Sequence, residues 1–159
     1  MKSITVTIDR CTGCRLCELA CSLKNSGECN PAVAMIQVVG FDELFSVPIL
    51  CLQCEKPYCA NVCPTGAILR DSATGAVTVS KARCIGCKLC SVACPFGNIS
   101  FSSVKRVAVK CDLCGGDPQC VTFCPTKALE FKEADTAMAG KKSTLSEKLR
   151  KAYEEARQS

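Results

Sequence analysis

The sequence is organised around Cys84-Ile85-Gly86-Cys87-Lys88-Leu89-Cys90-Ser91-Val92-Ala93-Cys94-Pro95. Three cysteines stand at intervals of three residues, and a fourth follows four residues later, directly before a proline. A run of this kind supplies three thiolates to one four-iron cubane and a fourth thiolate to a neighbouring cubane. The stretch therefore predicts an iron–sulfur junction between two clusters.

Variants of this run occur three more times in the chain. The quartets are Cys11, Cys14, Cys17, Cys21; Cys51, Cys54, Cys59, Cys63; Cys84, Cys87, Cys90, Cys94; and Cys111, Cys114, Cys120, Cys124. Sixteen of the 17 cysteines thus fall into four groups of four. The remaining one, Cys29, lies outside every quartet and is expected to be a free thiol that binds no metal.

The composition provides few apolar side chains for a hydrophobic core. The 159 residues match the length of one domain, but the 48% apolar content includes the cysteines, and the chain has no tryptophan. Small cysteine-rich chains are commonly stabilised by disulfides or by metal. Residues 1–8 alternate like a strand and lack the pattern of a secretion signal, and disulfide frameworks do not repeat one close spacing in four blocks. Clusters in a soluble, reducing, cytoplasmic setting are therefore expected.

Zinc is the main chemical rival to iron in these motifs. Structural zinc takes four ligands from two Cys-x-x-Cys pairs, often with histidine. The evenly spaced third thiol of such a run would then have no zinc to bind, and the chain contains no histidine. The missing histidine also disfavours Rieske ligation, haem ligation and histidine-based acid–base catalysis.

The formal net charge of +5 does not include the metal. An oxidised cubane with four thiolates carries a charge of about −2, so four cubanes would bring the protein to about −3. The basic residues are expected to offset cluster charge, and no basic and aromatic pattern for nucleic acid is visible. No apolar run approaches the roughly 20 residues that span a bilayer. The sequence therefore predicts neither nucleic-acid binding nor membrane insertion.

Alternating residues between the quartets predict short strands and hairpins, with turns at residues 40–43 and 73–75. Short helices are expected between the third and fourth cysteines of a quartet. Gly13 and Gly86 are expected to adopt positive φ, so that backbone N–H groups turn toward sulfur. The predicted strands are residues 4–8, 33–39, 45–50, 65–70, 76–79, 98–101, 105–110 and 127–131.

In a two-cluster ferredoxin, the first three cysteines of one quartet share a cubane with the last cysteine of the other quartet. The short predicted hairpin makes the second and third quartets one compact half, so the first and fourth quartets pair across the chain. Strand 4–8 then lies beside residues 128–131. The predicted ligand sets are Cys11, Cys14, Cys17 with Cys124; Cys111, Cys114, Cys120 with Cys21; Cys51, Cys54, Cys59 with Cys94; and Cys84, Cys87, Cys90 with Cys63. Pairing of the quartets in simple sequence order is the alternative.

The predicted fold is α+β, with two bacterial-type two-cluster ferredoxin-like halves and a C-terminal helix. Short antiparallel hairpins and short helices surround four [4Fe–4S] cubanes in these halves. The C-terminal helix is amphipathic, opens with a capping box, and is expected to dock on a partner, on another copy of the chain or on its own domain. The predicted boundaries are 1–131 for the four-cluster domain, 1–30 with 96–131 for one half, 46–95 for the other half, 31–45 for an insertion, 132–142 for a linker and 143–159 for the helix.

Residues 1–131 resemble the four-cluster ferredoxin-type electron-transfer subunits of dimethyl sulfoxide reductase, formate dehydrogenase and hydrogenase complexes. The resemblance rests on all four quartets, including Cys51-Leu52-Gln53-Cys54-Glu55-Lys56-Pro57-Tyr58-Cys59 and Cys63-Pro64-Thr65-Gly66-Ala67-Ile68. It implies that the first and fourth quartets share two clusters and that the second and third share the other two. One departure is Ser22, which follows Cys21 in place of proline and is expected to loosen the turn there.

The resemblance implies an electron-transfer subunit that is not an enzyme by itself. It would conduct single electrons between a catalytic subunit and a ferredoxin or a flavin- or NAD-linked subunit. The compact chain looks like members that accompany a tungstopterin aldehyde oxidoreductase, which is the first candidate partner. A hydrogenase, formate dehydrogenase or carbon monoxide dehydrogenase complex is the alternative, and a structural or regulatory iron–sulfur module is an alternative of another class. Candidates for tuning the cluster potentials are Arg15, Lys56, Arg83 and Lys88.

Overall fold

The computed structural model describes residues 2–41 and 45–133. Within these ranges, short strands alternate with short helices and with single turns of 3-10 helix. The strands are β1 (Lys2–Val6), β2 (Ile36–Phe41), β3 (Phe45–Leu50), β4 (Ile68–Arg70), β5 (Val77–Val79), β6 (Ser100–Ser102), β7 (Val107–Val109) and β8 (Leu129–Glu133). The helices are α1 (Leu16–Ser26), α2 (Tyr58–Asn61), α3 (Leu89–Ala93) and α4 (Gln119–Thr122). The predicted helix at 143–159 and most of the predicted linker lie outside the described residues.

The first and last described strands pair with each other. β1 and β8 are antiparallel, with Ile4 opposite Phe131 and Val6 opposite Leu129. The Thr7 N–H also donates to the Ala128 carbonyl at 2.8 Å. The predicted pairing of these segments is therefore confirmed, but β1 ends at Val6, because residues 8–10 turn as a 3-10 helix that leads into the first quartet.

The hairpin of β2 and β3 begins in the predicted insertion, 31–45, and continues beyond it, because β3 ends at Leu50. Its register places Ile36 opposite Leu50, and both side chains are buried. β2 begins three residues later than the prediction of 33, because Pro31–Val33 forms a 3-10 turn. Proline at the first position of a helical turn is favoured, since its missing N–H has no partner there in any case. The predicted turn at 40–43 is wrong for its first two residues, which belong to β2, and residues 42–43 lie outside the described residues.

Two shorter hairpins follow the second and third quartets. β4 pairs with β5, and β6 pairs with β7, over three residues each. In the first of these, the Asp71 carboxylate accepts from the Ala73 N–H at 3.0 Å, and Gly75 has a φ of 72°. Asp in the first position of a turn and glycine at positive φ are typical of such loops. The predicted hairpins are present, but their strands are shorter than expected.

Helix α1 is longer than α2, α3 and α4 because Ser22 follows Cys21. In the other quartets the fourth cysteine precedes proline, which disfavours helical backbone at that cysteine. The Ser22 hydroxyl, fully buried, donates to the Leu19 carbonyl at 3.0 Å and accepts from the Asn30 N–H at 3.1 Å. The expectation that serine loosens this turn is therefore wrong, since it lets the helix continue to Ser26.

The described chain has two buried hydrophobic clusters, and cysteines belong to both. The members of the first cluster are Ile4, Cys17, Cys21, Ala34, Ile36, Val38, Leu50, Ala76, Leu113, Cys120 and Leu129. The members of the second are Ile68, Val77, Cys90, Ile99 and Ala108. Two-stranded sheets are marginal on their own, so they depend on these clusters for stability. In the described ranges, no helix combines the length and the hydropathy of a membrane span.

Candidate iron–sulfur centres

Three cavities in the described chain are each lined by four cysteines. In every case three of them come from one quartet and the fourth is the last cysteine of another quartet. The lining cysteines are Cys11, Cys14, Cys17 and Cys124 (set 1); Cys21, Cys111, Cys114 and Cys120 (set 2); and Cys51, Cys54, Cys59 and Cys94 (set 3). The fold thus brings thiols together that lie up to 113 residues apart in the sequence.

The remaining four cysteines of the quartets, which we call set 4, are Cys63, Cys84, Cys87 and Cys90. Cys90 is part of the second buried cluster, and Cys63 and Cys84 pack against that cluster. Burial raises the pKa of Cys90, and the nearby Cys84 and Cys87 thiolates raise it further. Cys87 is exposed, as is Cys14 of set 1. Cys29 is exposed as well and lines none of the three cavities.

The residue before the second cysteine of every quartet has positive φ. It is Gly13, Gln53, Gly86 or Leu113, with φ between 51° and 72°. This left-handed backbone makes a concave turn whose N–H groups face an anion. The prediction for the two glycines is confirmed. The sequence alone did not show that Gln53 and Leu113 share this conformation, which costs about 1–2 kcal/mol outside glycine; both side chains are almost completely buried.

Replacing Gly86 with alanine is expected to lower stability more than the same change at Gly66. A Cβ at Gly86 would lie 2.5 Å from the Arg106 carbonyl oxygen, whereas a Cβ at Gly66 meets nothing within 4 Å. Both glycines have positive φ, so each alanine costs about 1–2 kcal/mol, and the clash adds about 1–3 kcal/mol at Gly86 only. Thermal unfolding of the two iron-loaded variants under anaerobic conditions measures the difference. Equal melting temperatures would contradict the predicted clash.

Backbone and side-chain donors surround the last cysteine of three quartets. The Cys21 sulfur accepts from the Met35 N–H at 3.3 Å, and the Cys63 sulfur accepts from the Ala67 N–H at 3.2 Å. Burial acts to raise the pKa of Cys63 and of Cys124, but hydrogen bonds, including one from a threonine two residues later, outweigh burial and lower both pKa values. Cys63 and Cys124 therefore favour the thiolate, which is the form that binds metal, whereas burial raises the pKa of Cys21.

Deeply placed cysteines show the opposite shift. Burial raises the pKa of Cys17 to about 11 and that of Cys111 to about 12, and it also raises the pKa of Cys120. Such thiols are protonated at neutral pH. Because metal ligands must be deprotonated, iron binding at these positions would release protons.

The donor sets fit a cubane better than a single ion. All 17 cysteines are free thiols. Within residues 2–41 and 45–133, no three Cys, Asp or Glu side chains are close enough to hold one metal ion. A four-iron cluster does not need that proximity, because each thiolate binds a different iron. Four thiols spread around one cavity, with hydrogen-bond donors to sulfur, are suitable for this group.

Charged and polar residues near the thiols include the expected Arg15, which lines the cavity of set 1, and others that were not expected. Lys88, a predicted tuner, caps α3 at a φ of 62°, and its Nζ lies 4.6 Å from the centre of the Phe101 ring. The sequence alone did not indicate that Lys110, Gln53 and Glu18 are buried. A sequence signal existed for Lys110, because it continues the alternation of β7 and therefore falls on the same face as buried Ala108. Arg15 has a φ of 58° and precedes α1.

Two iron–sulfur families match the chain. The 4Fe-4S dicluster domain matches residues 43–134. A 4Fe-4S binding domain matches residues 8–24. The two matches together contain all four cysteine quartets.

Relatives with known names cover most of this chain. The polyferredoxin-like subunit of aliphatic sulfonate oxidoreductase from Pyrococcus furiosus is 44% identical over 76% of this chain and 70% of its own length. The putative electron transport protein YsaA of Escherichia coli is 41% identical over 79% of this chain and 86% of its own. The electron transport protein HydN of Escherichia coli is 38% identical over 79% and 85%. The chain therefore belongs to the 4Fe-4S dicluster ferredoxin family, together with these polyferredoxin-like and electron-transport proteins.

Proposed function

We propose that the chain binds four [4Fe–4S] clusters, one at each thiol set, and conducts single electrons between a catalytic oxidoreductase subunit and an electron carrier. The observation that carries this proposal is the lining of the three cavities, in which each set joins three cysteines of one quartet to the last cysteine of another. Set 4 is assigned by the same rule. This arrangement also supports a fold of two ferredoxin-like halves, with the first and fourth quartets in one half and the second and third in the other.

The chain itself supplies the thiolate ligands and the hydrogen bonds that set the cluster potentials. A [4Fe–4S] cluster, when bound, takes up and releases one electron at a time, at a potential set by hydrogen bonds to sulfur, charge and solvent exposure. The backbone N–H groups of Met35, Ala67 and Ala108 donate to ligand sulfurs at 3.2–3.4 Å. Such donors stabilise negative charge on the sulfur, so they favour the reduced state of the site.

Electrostatic coupling between the thiols supports an order of the four sites. Burial raises the pKa of Cys120 and of Cys111 in set 2. The thiolate of Cys17 in set 1 raises the pKa of Cys120 further, and that of Cys51 in set 3 raises the pKa of Cys111. Sets 3 and 4 both pack against the second buried cluster. The proposed order is therefore set 1, set 2, set 3 and set 4.

The outer sites are where electrons would be exchanged with partners. Set 1 contains the exposed Cys14, and set 4 contains the exposed Cys87, whereas all the cysteines of sets 2 and 3 are buried or half-buried. A catalytic subunit at one end and a ferredoxin or a flavin- or NAD-linked subunit at the other would use both outer sites. The chain would not catalyse the substrate reaction itself.

The catalytic partner is proposed as an oxidoreductase subunit, with a tungstopterin aldehyde oxidoreductase as the first candidate. A relative that is 44% identical carries the name of a polyferredoxin-like subunit of an aliphatic sulfonate oxidoreductase, and another that is 35% identical is formate hydrogenlyase subunit 2. These names support a catalytic subunit of the oxidoreductase class. The cytoplasmic setting, self-association and the docking role of residues 143–159 stay predictions from the sequence.

Anaerobic reconstitution tests the four-cluster proposal. The loaded protein is expected to hold about 16 irons per chain, and redox titration followed by electron paramagnetic resonance should resolve four one-electron centres. The Cys29→Ala variant is the matched control and should hold the same amount, because Cys29 belongs to no set. Fewer than about 12 irons per chain, or a loss of iron in the control, would contradict the proposal.

A further inference from the structure

Lys110 is a lysine in an unusual place. It follows β7 directly, precedes Cys111 of set 2, and is only 6% exposed. Lysine is almost never buried to this extent unless its charge has a partner. The surroundings of its Nζ atom therefore need an explanation.

The Nζ atom has three acceptors, and all of them are neutral amide oxygens. It donates to the Val77 carbonyl, to the Cys111 carbonyl at 3.1 Å and to the Gln53 Oε1 atom at 3.5 Å. An ammonium group has three donors, and the three oxygens match them in number. No carboxylate of the described residues forms an ion pair with Lys110. A buried charge without a counter-charge is strongly unfavourable.

Gln53 holds the ammonium group in place. Its Nε2 atom donates to the Cys111 carbonyl at 2.7 Å, and its Oε1 atom accepts from the Val77 N–H at 2.8 Å. Gln53 lies in the loop between two ligands of set 3, whereas Cys111 belongs to set 2. The Lys110 and Gln53 side chains thus connect the backbone around one thiol set to the backbone around the next.

Two thiol sets are within the electrostatic reach of Lys110. Its side chain lines the same cavity as the cysteines of set 3, and its Nζ atom contacts the backbone of Cys111 in set 2. Cys59 lines the same cavity as Lys110, and Cys111 is the next residue in the sequence. Each of the two inner sites therefore has a cysteine beside this lysine.

We propose that Lys110 is a shared counter-cation for the two inner clusters and makes them easier to reduce than they would be without it. This inference rests on the four-cluster function proposed above. When an inner site takes up one electron, its charge becomes more negative by one, while the lysine keeps its proton and no bond is made or broken. The fixed positive charge stabilises the reduced form, and the low polarity of the site limits screening. Lys110 is a positioning and tuning residue, since it binds no metal.

The test is the Lys110→Gln variant, which keeps a hydrogen-bond donor and removes the charge. At the wild-type midpoint potentials, we expect the ratio of reduced to oxidised protein to fall about tenfold for the inner centres, a shift of about 59 mV for a one-electron couple. Two of the four centres should shift to more negative potential, and the others should not. Lys110→Arg should restore the potentials. Lys105→Gln, an equal charge change at an exposed lysine, should leave them unchanged.

Unchanged potentials in iron-loaded Lys110→Gln, or an equal shift of all four centres, would overturn the inference. If that variant does not retain iron, Gln53→Glu gives a second route, because it leaves Lys110 in place and sets a carboxylate against the ammonium group. Its inner centres should also shift to more negative potential, and unchanged values there would overturn the inference too. A low iron count in the wild-type protein would contradict the four-cluster function, whereas a full count with unmoved potentials would contradict only the role of Lys110.

Discussion

Replacing Cys21 and Cys114 together is expected to remove no more iron than replacing either residue alone. The two thiols line the same cavity although they are 93 residues apart. If both bind one cubane, either alanine variant loses that cluster, which is about 4 of about 16 irons, and the second substitution has nothing further to remove. Iron analysis of the two single variants and of the double variant, after anaerobic reconstitution, measures this non-additivity.

The matched control is the double variant of Cys17 and Cys21. These two cysteines are one helical turn apart in α1, but they line different cavities. Their combined replacement is therefore expected to remove two clusters, or about 8 irons. Additive loss for Cys21 with Cys114, combined with non-additive loss for Cys17 with Cys21, would mean that each quartet binds its own cluster. That outcome would refute the proposed ligand sets.

Removing the iron is expected to unfold most of the described chain. The sheets are two-stranded, and four of the residues in the two buried clusters are cysteines of the quartets. Without clusters, buried thiols would surround space that apolar side chains do not fill, and a chain with so little other core is marginal. Metal binding and folding are then one equilibrium.

Circular dichroism and amide hydrogen exchange measure this effect before and after anaerobic chelation of the iron. Protection of the amides in β1 and β8 should be lost, because these strands pack on the first buried cluster. Reconstitution with iron and sulfide should restore it, and chelator already saturated with iron serves as the control. Iron-free protein that keeps its protected amides would show that side-chain packing alone holds the fold.

Local spacing was sufficient to predict the quartets and the hairpins. The pairing of β1 with β8 followed from a topological argument, since the fourth cysteine of one quartet has to reach the site of another. The start of β2 at Ile36 and the length of α1 were less accessible. The start of β2 depends on Pro31, which begins the 3-10 turn before it. The length of α1 depends on Ser22, whose hydroxyl accepts a hydrogen bond from the Asn30 N–H.

The buried Lys110 and the left-handed Gln53 and Leu113 could not be predicted with the same ease. A lysine beside a cysteine in the sequence is ordinarily assigned to the surface. Its burial depends on carbonyl groups of β5 and of the fourth quartet, which meet only after the chain has folded. The left-handed residues share a position with Gly13 and Gly86, so comparison of the four quartets with one another is the signal that could have revealed them.

The pairing of the first and last described strands determines when the thiol sets can be completed during biosynthesis. A chain emerging from the ribosome presents Cys11, Cys14 and Cys17 early, but their fourth neighbour, Cys124, and the partner strand β8 are made near the end of the described chain. Residues 51–94 contain every thiol of sets 3 and 4, so these two sets are complete while translation continues. The thiols of Cys11, Cys14 and Cys17 therefore stay without their fourth partner until residue 124 has been synthesised.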